Sequence, residues 1–324
     1  MWFSVPRDLL SDVATRFLMA STLVACGTGF ADADMLRREI PTWTKQQVLS
    51  GYTAKREECV NPGQLWIQDG SKFYCIRYFA NFGKAFRKPP PAVVVFFKGD
   101  FLGFDWSKQG GGVFYVPGVD SKKVYQSTMR MLADAGDVPF VIVSRPGTMG
   151  SSGDHKHKYW RSEARIMNSA IDMLQEKFGF TRIVLAGHSG GAMLVANLLP
   201  RRADVICAVM ASGAAAIQHF AADNKMNSNV TALWEDPIDN VAQIPDKRQP
   251  LIVLTGEGDP NRPVKYQEEY ANSLLARNLN AVFWVLFKKG DPHDTQWEAV
   301  HAATDCWAGK SLDQIRRRFK VINH

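Results

Sequence analysis

The pentapeptide GHSGG at residues 187–191 places a serine among glycines at an abrupt change of sequence pattern. An apolar, β-branched run (182–186) precedes it, and an Ala/Leu-rich run follows it. The pentapeptide fits G-x-S-x-G between a strand and a helix, where the flanking glycines let the backbone crowd the turn and expose the hydroxyl. This context predicts that Ser189 is a nucleophile. The alternative is a glycine-rich turn in which Ser189 is only a helix N-cap.

An acid and a base follow two later apolar runs. Asp259 lies in GEGDPNRP after the run 251–255, and His293 lies in FKKGDPHD after the run 281–286. A serine hydroxyl is a weak nucleophile until a histidine accepts its proton and a carboxylate orients that histidine. Ser189, Asp259 and His293 therefore predict a triad for acyl transfer, with Glu257 as the alternative acid and His301 as the alternative base.

This triad needs a scaffold that brings three distant loops together, and the sequence pattern predicts one. Short apolar strands alternate with amphipathic helices, which indicates α/β architecture: a mostly parallel central sheet with helices on both faces. In such a sheet the loops after the carboxyl ends of the strands meet at one edge. The predicted strands are 92–97, 139–143, 182–186, 205–210, 251–255 and 281–286, and the predicted helices lie near 121–135, 160–178, 190–199, 264–277 and 296–308.

The same pattern indicates a single α/β domain over residues 34–324, because no linker is long enough to separate two domains. An aromatic-rich hairpin with an Asp69-Gly70 turn precedes the first predicted parallel strand. Residues 214–249 interrupt the alternation of strands and helices, which is typical of a small cap or lid insertion.

Residues 90–308 resemble the α/β-hydrolase superfamily. Within them, the stretch from WEDPIDNV to GDPHD (234–294) is similar to the closing part of the prolyl-oligopeptidase and dienelactone-hydrolase-like group, and VSRPGTMGSSGDH (143–155) resembles that fold's loop after the fourth strand. The resemblance implies the α/β-hydrolase fold, with Ser189 as nucleophile, Asp259 as acid and His293 as base. A protease gated by a large β-propeller is not expected, because only about 55 residues separate the leader from the hydrolase core.

Backbone N–H groups that bind an oxyanion are expected beside the serine. The N–H of Gly190 is one of them. The loop in VVVFFKGDF supplies the second, from Gly99 or Asp100. Lys98 stands where the fold that the chain resembles usually has a histidine, so the choice between Gly99 and Asp100 stays open.

Two further groups of residues have competing interpretations. His155 and His157 in GDHKHKYW suggest a metal site, but two alternating histidines in a polar loop without a third ligand are expected to be solvated. Aromatic and methionine side chains near the predicted site either line an acyl pocket or simply pack; these are Phe101, Phe104, Trp106 and Met149.

The chain is basic, with 39 Lys and Arg against 32 Asp and Glu, a formal net charge of +7 and a pI near 9.1. The cations are scattered, apart from a cluster at residues 316–320. A basic balance without a cationic stripe indicates a solubility feature rather than a nucleic-acid interface. We therefore expect a small-molecule ester or amide substrate and no nucleic-acid partner.

Residues 1–33 read as an export leader. Asp8 and Asp12 are unusual in the basic region of such a leader, so a later start or a plain N-terminal helix is the alternative. Two arginines precede the uncharged run FLMASTLVACGTGFA (17–31), which is too short to cross a bilayer, and ADA (31–33) offers a small-x-small cleavage site. LVAC (23–26) also resembles a bacterial lipoprotein box, in which Cys26 would carry a lipid anchor. The protein is thus expected to be exported, either periplasmic or secreted.

Four cysteines remain once Cys26 is set aside, an even number that suits an oxidising compartment. Cys59 and Cys75 enclose the first hairpin strand, and a disulfide between them would close a short loop. Cys207 in an apolar strand and Cys306 in a predicted helix fit either a second bridge or two buried thiols. The cysteine spacing matches no metal site.

Together these features predict a serine hydrolase that cleaves carboxylic esters through an acyl-enzyme and requires no cofactor or metal. An amidase or small peptidase with the same triad is the nearest alternative. A catalytically silent α/β-hydrolase scaffold used for binding is the alternative outside the enzymes.

Overall fold

The computed structural model describes residues 43–83, 90–105, 112–213, 215–226, 228–245 and 248–322. The predicted leader with Cys26 lies outside the described residues, as do Trp106 and the side chain of Phe104. In the described part of the chain, no helix is long and apolar enough to span a membrane.

Ten strands are described. In chain order they are β1 (Gln64–Asp69), β2 (Lys72–Asn81), β3 (Ala92–Phe97), β4 (Leu102–Asp105), β5 (Gly112–Tyr115), β6 (Phe140–Val143), β7 (Arg182–His188), β8 (Val205–Ala211), β9 (Leu251–Gly256) and β10 (Ala281–Leu286). Eight of them form one sheet in the order β1-β2-β6-β3-β7-β8-β9-β10, and β4 pairs with β5 separately. β2 is antiparallel to both of its neighbours, β1 and β6, whereas β3 and β6 to β10 run parallel to one another. The mostly parallel sheet is therefore confirmed.

Nine α-helices accompany the sheet. They are α1 (Lys45–Ser50), α2 (Ser121–Asp134), α3 (Arg161–Phe178), α4 (Gly190–Leu198), α5 (Ile217–Asp223), α6 (Ser228–Thr231), α7 (Val264–Ala276), α8 (Gln296–Trp307) and α9 (Leu312–Arg316), counted over the described residues alone. One apolar cluster packs α3, α4 and α7 on one face of the sheet, and a second packs α2 and α8 on the other face. All six residues of β3 are buried, because helices cover the strand on both sides.

The predicted strands and helices are confirmed to within about two residues at each end. The hairpin is also confirmed, but its turn lies one residue later than predicted: β1 extends through Asp69, and Gly70 and Ser71 make the connection. The short pair of β4 and β5 was not predicted, since its strands have four residues each.

The segment predicted as a cap contains no strand among its described residues. It holds α5, α6 and a 3₁₀-helix at Pro237–Gln243. Ile217, Phe220 and Trp234 from this segment pack with Tyr159 and Tyr266 in a third apolar cluster. The absence of a strand explains why the alternation stops here, and the role as a cap stays a prediction.

Two disulfides tie the fold. Cys59 bonds to Cys75 across the start of the hairpin, with Cα atoms 5.6 Å apart. Cys207 on β8 bonds to Cys306 on α8, with Cα atoms 6.4 Å apart, so the second pair is a bridge rather than two thiols. Two disulfides indicate an oxidising, exported environment.

Candidate active site

The turn between β7 and α4 is tight, and Ser189 sits in it with a strained backbone. Its φ of 55° and ψ of −122° lie where residues with a side chain are disfavoured. A Cβ on Gly187 would collide with the backbone of Gly191, and one on Gly191 would collide with the carbonyl oxygens of Phe97 and Lys98. The glycines are therefore required by the close approach of two backbone segments.

The hydroxyl of Ser189 does not cap the helix that follows it. Ser189 occupies the N-cap position of α4, but its side chain accepts no hydrogen bond from that helix. Instead, Oγ lies 3.0 Å from Nε2 of His293. The N-cap interpretation of Ser189 is therefore wrong for its side chain.

His293 contacts Asp259 through its other ring nitrogen. Nδ1 lies 2.8 Å from Oδ2 of Asp259, whose side chain is fully buried. The second carboxylate oxygen accepts backbone N–H groups from Asn261 at 2.8 Å and from Arg262 at 3.0 Å. Burial alone would raise the pKa of Asp259, but the contact with His293 and these two N–H donors hold it below its usual value. The ionised carboxylate fixes the proton of His293 on Nδ1, which leaves Nε2 free to accept the hydroxyl proton of Ser189.

Neither alternative residue takes part in this arrangement. Glu257 is exposed on the loop that carries Asp259. His301 lies on α8 and pairs with Asp134 of α2 at 2.6 Å. Of the acids and bases weighed from the sequence, the structure brings Asp259 and His293 to the serine.

The residues expected to bind an oxyanion pack against the serine turn: Gly99 lies against Ser189, and Asp100 lies against Gly190. Within the described residues, the N–H groups of Gly190 and Asp100 donate to no other protein group. Gly99 lies against the serine, since a Cβ at Gly99 would be 3.1 Å from Cβ of Ser189. Lys98 extends away from the serine to α2, where Nζ lies 3.0 Å from Oγ of Ser127.

The side chain of Asp100, which sequence reasoning did not consider, is also close to the serine. It is 8% exposed and contacts Arg145 at 2.6 Å and Lys158 at 3.0 Å. Burial would raise the pKa of Asp100, but Lys158 and Arg145 hold it well below its usual value. Asp100 is therefore an ionised carboxylate in a buried site, and Tyr159 donates its hydroxyl to it as well.

The expectation that the two histidines of GDHKHKYW are solvated is wrong for His155. Its side chain is fully buried, and Nε2 accepts the backbone N–H of Phe101 at 3.2 Å. Burial and the nearby Arg145 lower its pKa well below the usual value, so His155 is neutral. His157 is half-buried and stacks on Trp160 with ring centroids 4.1 Å apart. His155 thus supports the loop that carries Asp100.

The two described candidates for an acyl pocket are packed in the core. Phe101 is 4% exposed and lies 5.9 Å from the ring of Trp43, and Met149 is 1% exposed. A separate cavity of about 660 Å³ lies between residues 50–56, the hairpin and the start of α3. Lys158 and Glu163 line that cavity, whereas Ser189 does not.

No protein-family model and no curated protein matches the sequence. Solved structures do resemble the fold. Est1E from Butyrivibrio proteoclasticus is 14% identical with a TM-score of 0.53, over 76% of this chain and 98% of that one. The Pyrococcus furiosus esterase Pf2001 is 13% identical with a TM-score of 0.51, over 87% and 97%. A puromycin hydrolase is 14% identical with a TM-score of 0.53, over 79% of this chain and 40% of that one.

The chain has the α/β-hydrolase fold. The sheet order, the helices on both faces and the similarity to these structures agree on that class. At identities of 13–14% the similarity concerns the fold, and the chemistry has to be argued from the residues themselves.

Proposed function

We propose that the protein is a serine hydrolase that cleaves carboxylic esters. The observation that carries this proposal is the continuous contact from Ser189 Oγ to His293 Nε2 at 3.0 Å and from His293 Nδ1 to Asp259 at 2.8 Å. A hydroxyl, an imidazole and a buried carboxylate in this order are the parts that nucleophilic acyl transfer requires.

In the proposed reaction Ser189 attacks the ester carbonyl while His293 accepts the hydroxyl proton. Asp259 orients the ring and stabilises the imidazolium that forms. The N–H group of Gly190 and that of Asp100 or Gly99 bind the oxyanion of the tetrahedral intermediate. His293 then protonates the leaving alcohol, and water activated by the same ring releases the acid from Ser189.

The choice of esters is supported by the structural neighbours. One is an esterase from Pyrococcus furiosus, and Est1E has been solved with ferulic acid bound. An amidase or peptidase would use the same residues, so a direct comparison of matched substrates is needed.

We also propose that the mature enzyme is an exported single domain. The two disulfides support export. Removal of residues 1–33 or lipidation of Cys26 would be the route, with residues 34–324 as the catalytic domain and 214–249 as its cap. Comparing the mass of the secreted or membrane fraction with that of the full chain distinguishes cleavage at Ala33 from acylation at Cys26.

The proposal is tested with Ser189→Ala. We expect the variant to lose p-nitrophenyl ester turnover and labelling by a fluorophosphonate probe while it keeps its fold. Ser273→Ala is the control, because within the described part of the chain that hydroxyl bonds to a single group, the helix carbonyl of Tyr270 at 2.6 Å. Wild-type rates in Ser189→Ala would refute the assignment, and faster cleavage of a matched p-nitroanilide than of the ester would favour the amidase. A folded wild-type protein without labelling would favour the silent scaffold.

A further inference from the structure

Asp100 lies at the centre of a buried group of ion pairs beside the turn between β7 and α4, which carries Ser189. Its Oδ1 contacts Arg145 Nη1 at 2.6 Å, and its Oδ2 contacts Lys158 Nζ at 3.0 Å and the hydroxyl of Tyr159. The side chains of Arg145 and Lys158 are each 2% exposed. We call Asp100, Arg145, Lys158, Tyr159 and Glu163 the Asp100 cluster.

Glu163 connects this cluster to the first turn of α3. Its carboxylate accepts Nε of Arg145 at 2.8 Å and Nη2 at 3.1 Å, and it also accepts the backbone N–H of Tyr159 at 2.8 Å. Arg145 therefore bridges two carboxylates with a planar fork of donors, which restricts both in direction as well as distance.

Arg262 connects the cluster to the loop that carries the triad acid. Its Nη2 donates to the hydroxyl of Tyr159 at 3.0 Å and lies 3.8 Å from Asp100. Its backbone N–H donates to Asp259 at 3.0 Å. The cluster thus links the loop after β3, the loop after β6 and the loop after β9.

The cluster also packs directly on the turn between β7 and α4. A Cβ on Gly190 would collide with Oδ1 of Asp100 and approach Nη1 of Arg145 at 2.7 Å. Gly190 is the first residue of α4 and one proposed oxyanion donor. The main chain of Asp100 is the other candidate. The carboxylate of one donor residue therefore rests against the backbone of the other.

Ion pairs this deeply buried are expensive to desolvate and are weak evidence for stability alone. A packed apolar group would stabilise the fold at least as well, so stability alone does not explain why ion pairs are buried here. The location of the cluster supplies a reason, because every member lies within one or two contacts of Gly190 or of Asp100, the two residues whose main-chain N–H groups are the candidate oxyanion donors.

We propose that Asp100 is a positioning residue, whose carboxylate, held by Arg145, Lys158 and Tyr159, fixes the loop whose N–H groups bind the oxyanion. This inference rests on the proposed serine-hydrolase function. It predicts that weakening the cluster harms binding of the oxyanion more than binding of the substrate, because the ester ground state carries no full charge on that oxygen.

The test uses Asp100→Asn, which keeps the shape of the side chain and removes its charge. Tyr159→Phe is the milder second variant, since it removes the hydroxyl that donates to Asp100 and accepts from Arg262 but leaves the ion pairs of Asp100 with Arg145 and Lys158. Arg165→Gln is the matched control, because it breaks an exposed two-bond contact with Asp69, at 2.8 and 2.9 Å, in which no member of the Asp100 cluster takes part. For each variant we would measure kcat, KM and the inhibition constant of a trifluoromethyl ketone, all normalised to the fraction of protein that a fluorophosphonate labels.

For Asp100→Asn we expect kcat to fall by about ten- to hundredfold and the trifluoromethyl ketone to bind more weakly by a similar factor, with KM changed by less than about twofold. For Tyr159→Phe we expect a fall in kcat of about three- to tenfold. Arg165→Gln should match wild type within about twofold.

Normalisation to labelled sites removes the effect of misfolded protein. A merely structural role would therefore lower the labelled fraction and leave kcat and the inhibition constant per site unchanged in both variants, and that result would overturn the proposal. A rise in KM as large as the expected fall in kcat, without a change in inhibitor binding, would also overturn it. A wild-type protein that the probe does not label would instead refute the serine-hydrolase function, and the positioning role with it.

Discussion

His188 donates its Nε2–H to the main-chain oxygen of His293 at 2.7 Å, so the residue before the proposed nucleophile holds the loop of the proposed base. The two rings lie 5.0 Å apart at their centroids. Because His188 ends β7 and His293 follows β10, this bond joins two strand ends that are separated by β8 and β9 in the sheet. The main chain of His293 is therefore held by His188, and its imidazole is held separately by Asp259.

This bond predicts an acid-sensitive stability. Burial and the neighbouring His293 lower the pKa of His188 to about 4 from its usual 6.5, so the folded protein keeps the ring neutral. As pH falls from about 6.5 towards about 4, the unfolded chain binds the proton and the folded chain does not, so stability is lost across that window. His188→Gln keeps an N–H donor without titrating. We expect its urea-unfolding free energy to decline less between pH 7 and pH 5 than that of wild type.

The control for this prediction is His219→Gln, because His219 is 58% exposed and pairs with Glu269 at the surface. Its pH dependence should follow that of wild type. If His188→Gln lost stability with falling pH as steeply as wild type and His219→Gln do, His188 would not be the group responsible for the acid sensitivity.

The strained backbone of Ser189 predicts that the presence of a serine at this position lowers the free energy of unfolding. Glycine adopts a φ of 55° with ψ of −122° far more readily than serine does. Ser189→Gly should therefore raise the free energy of unfolding by about 1–3 kcal/mol. Ser189→Ala keeps the Cβ and should change stability much less. Thermal unfolding of the two variants side by side checks this, and equal melting temperatures would contradict it.

The two disulfides should differ in their effect on stability because they close loops of different length. Cys59 and Cys75 are 16 residues apart, whereas Cys207 and Cys306 are 99 apart. In the chain-entropy description, losing the first costs about 3 kcal/mol and losing the second about 4.7 kcal/mol. Urea unfolding of the double alanine variants of each pair would show the order, and a larger loss for the Cys59–Cys75 pair would count against this explanation.

The contact between Gly191 and the end of β3 should exclude any side chain. A Cβ on Gly191 would collide with the carbonyl oxygens of Phe97 and Lys98, so Gly191→Ala must push the end of β3 and the loop after it away. We expect a loss of more than about 3 kcal/mol in unfolding free energy. Gly118→Ala is the control, because Gly118 has a φ of 79° but open space around it, and should lose only about 1–2 kcal/mol. Similar losses in both variants would rule out the steric explanation.

Much of the scaffold could be read from the sequence for a physical reason. Strands such as β3 and β9 are covered by helices on both faces, so they appear as unbroken apolar runs of six residues. The positions of Ser189, Asp259 and His293 followed from the same pattern, since each lies in the turn or loop that follows such a run.

The Asp100 cluster could not be predicted in this way. Apart from Glu163, which lies on the first turn of α3, its residues come from the loop after β3 and from the segment 145–159, and neither stretch has a hydrophobic period that reports on burial. His155 shows the difficulty most clearly, because a sequence as polar as GDHKHKYW gives no sign that one of its histidines is fully buried. The order of strands in the sheet is likewise set by packing between distant segments rather than by any local signal.

Because of the left-handed backbone at Ser189, the residue found at position 189 in related sequences indicates whether the hydroxyl is under selection. Every residue with a Cβ is strained there, so a lineage that no longer needs the hydroxyl gains by drifting to glycine. Persistence of serine among descendants of this gene would indicate that the hydroxyl is kept for its use, and branches that carry glycine would be those in which the proposed reaction is no longer carried out.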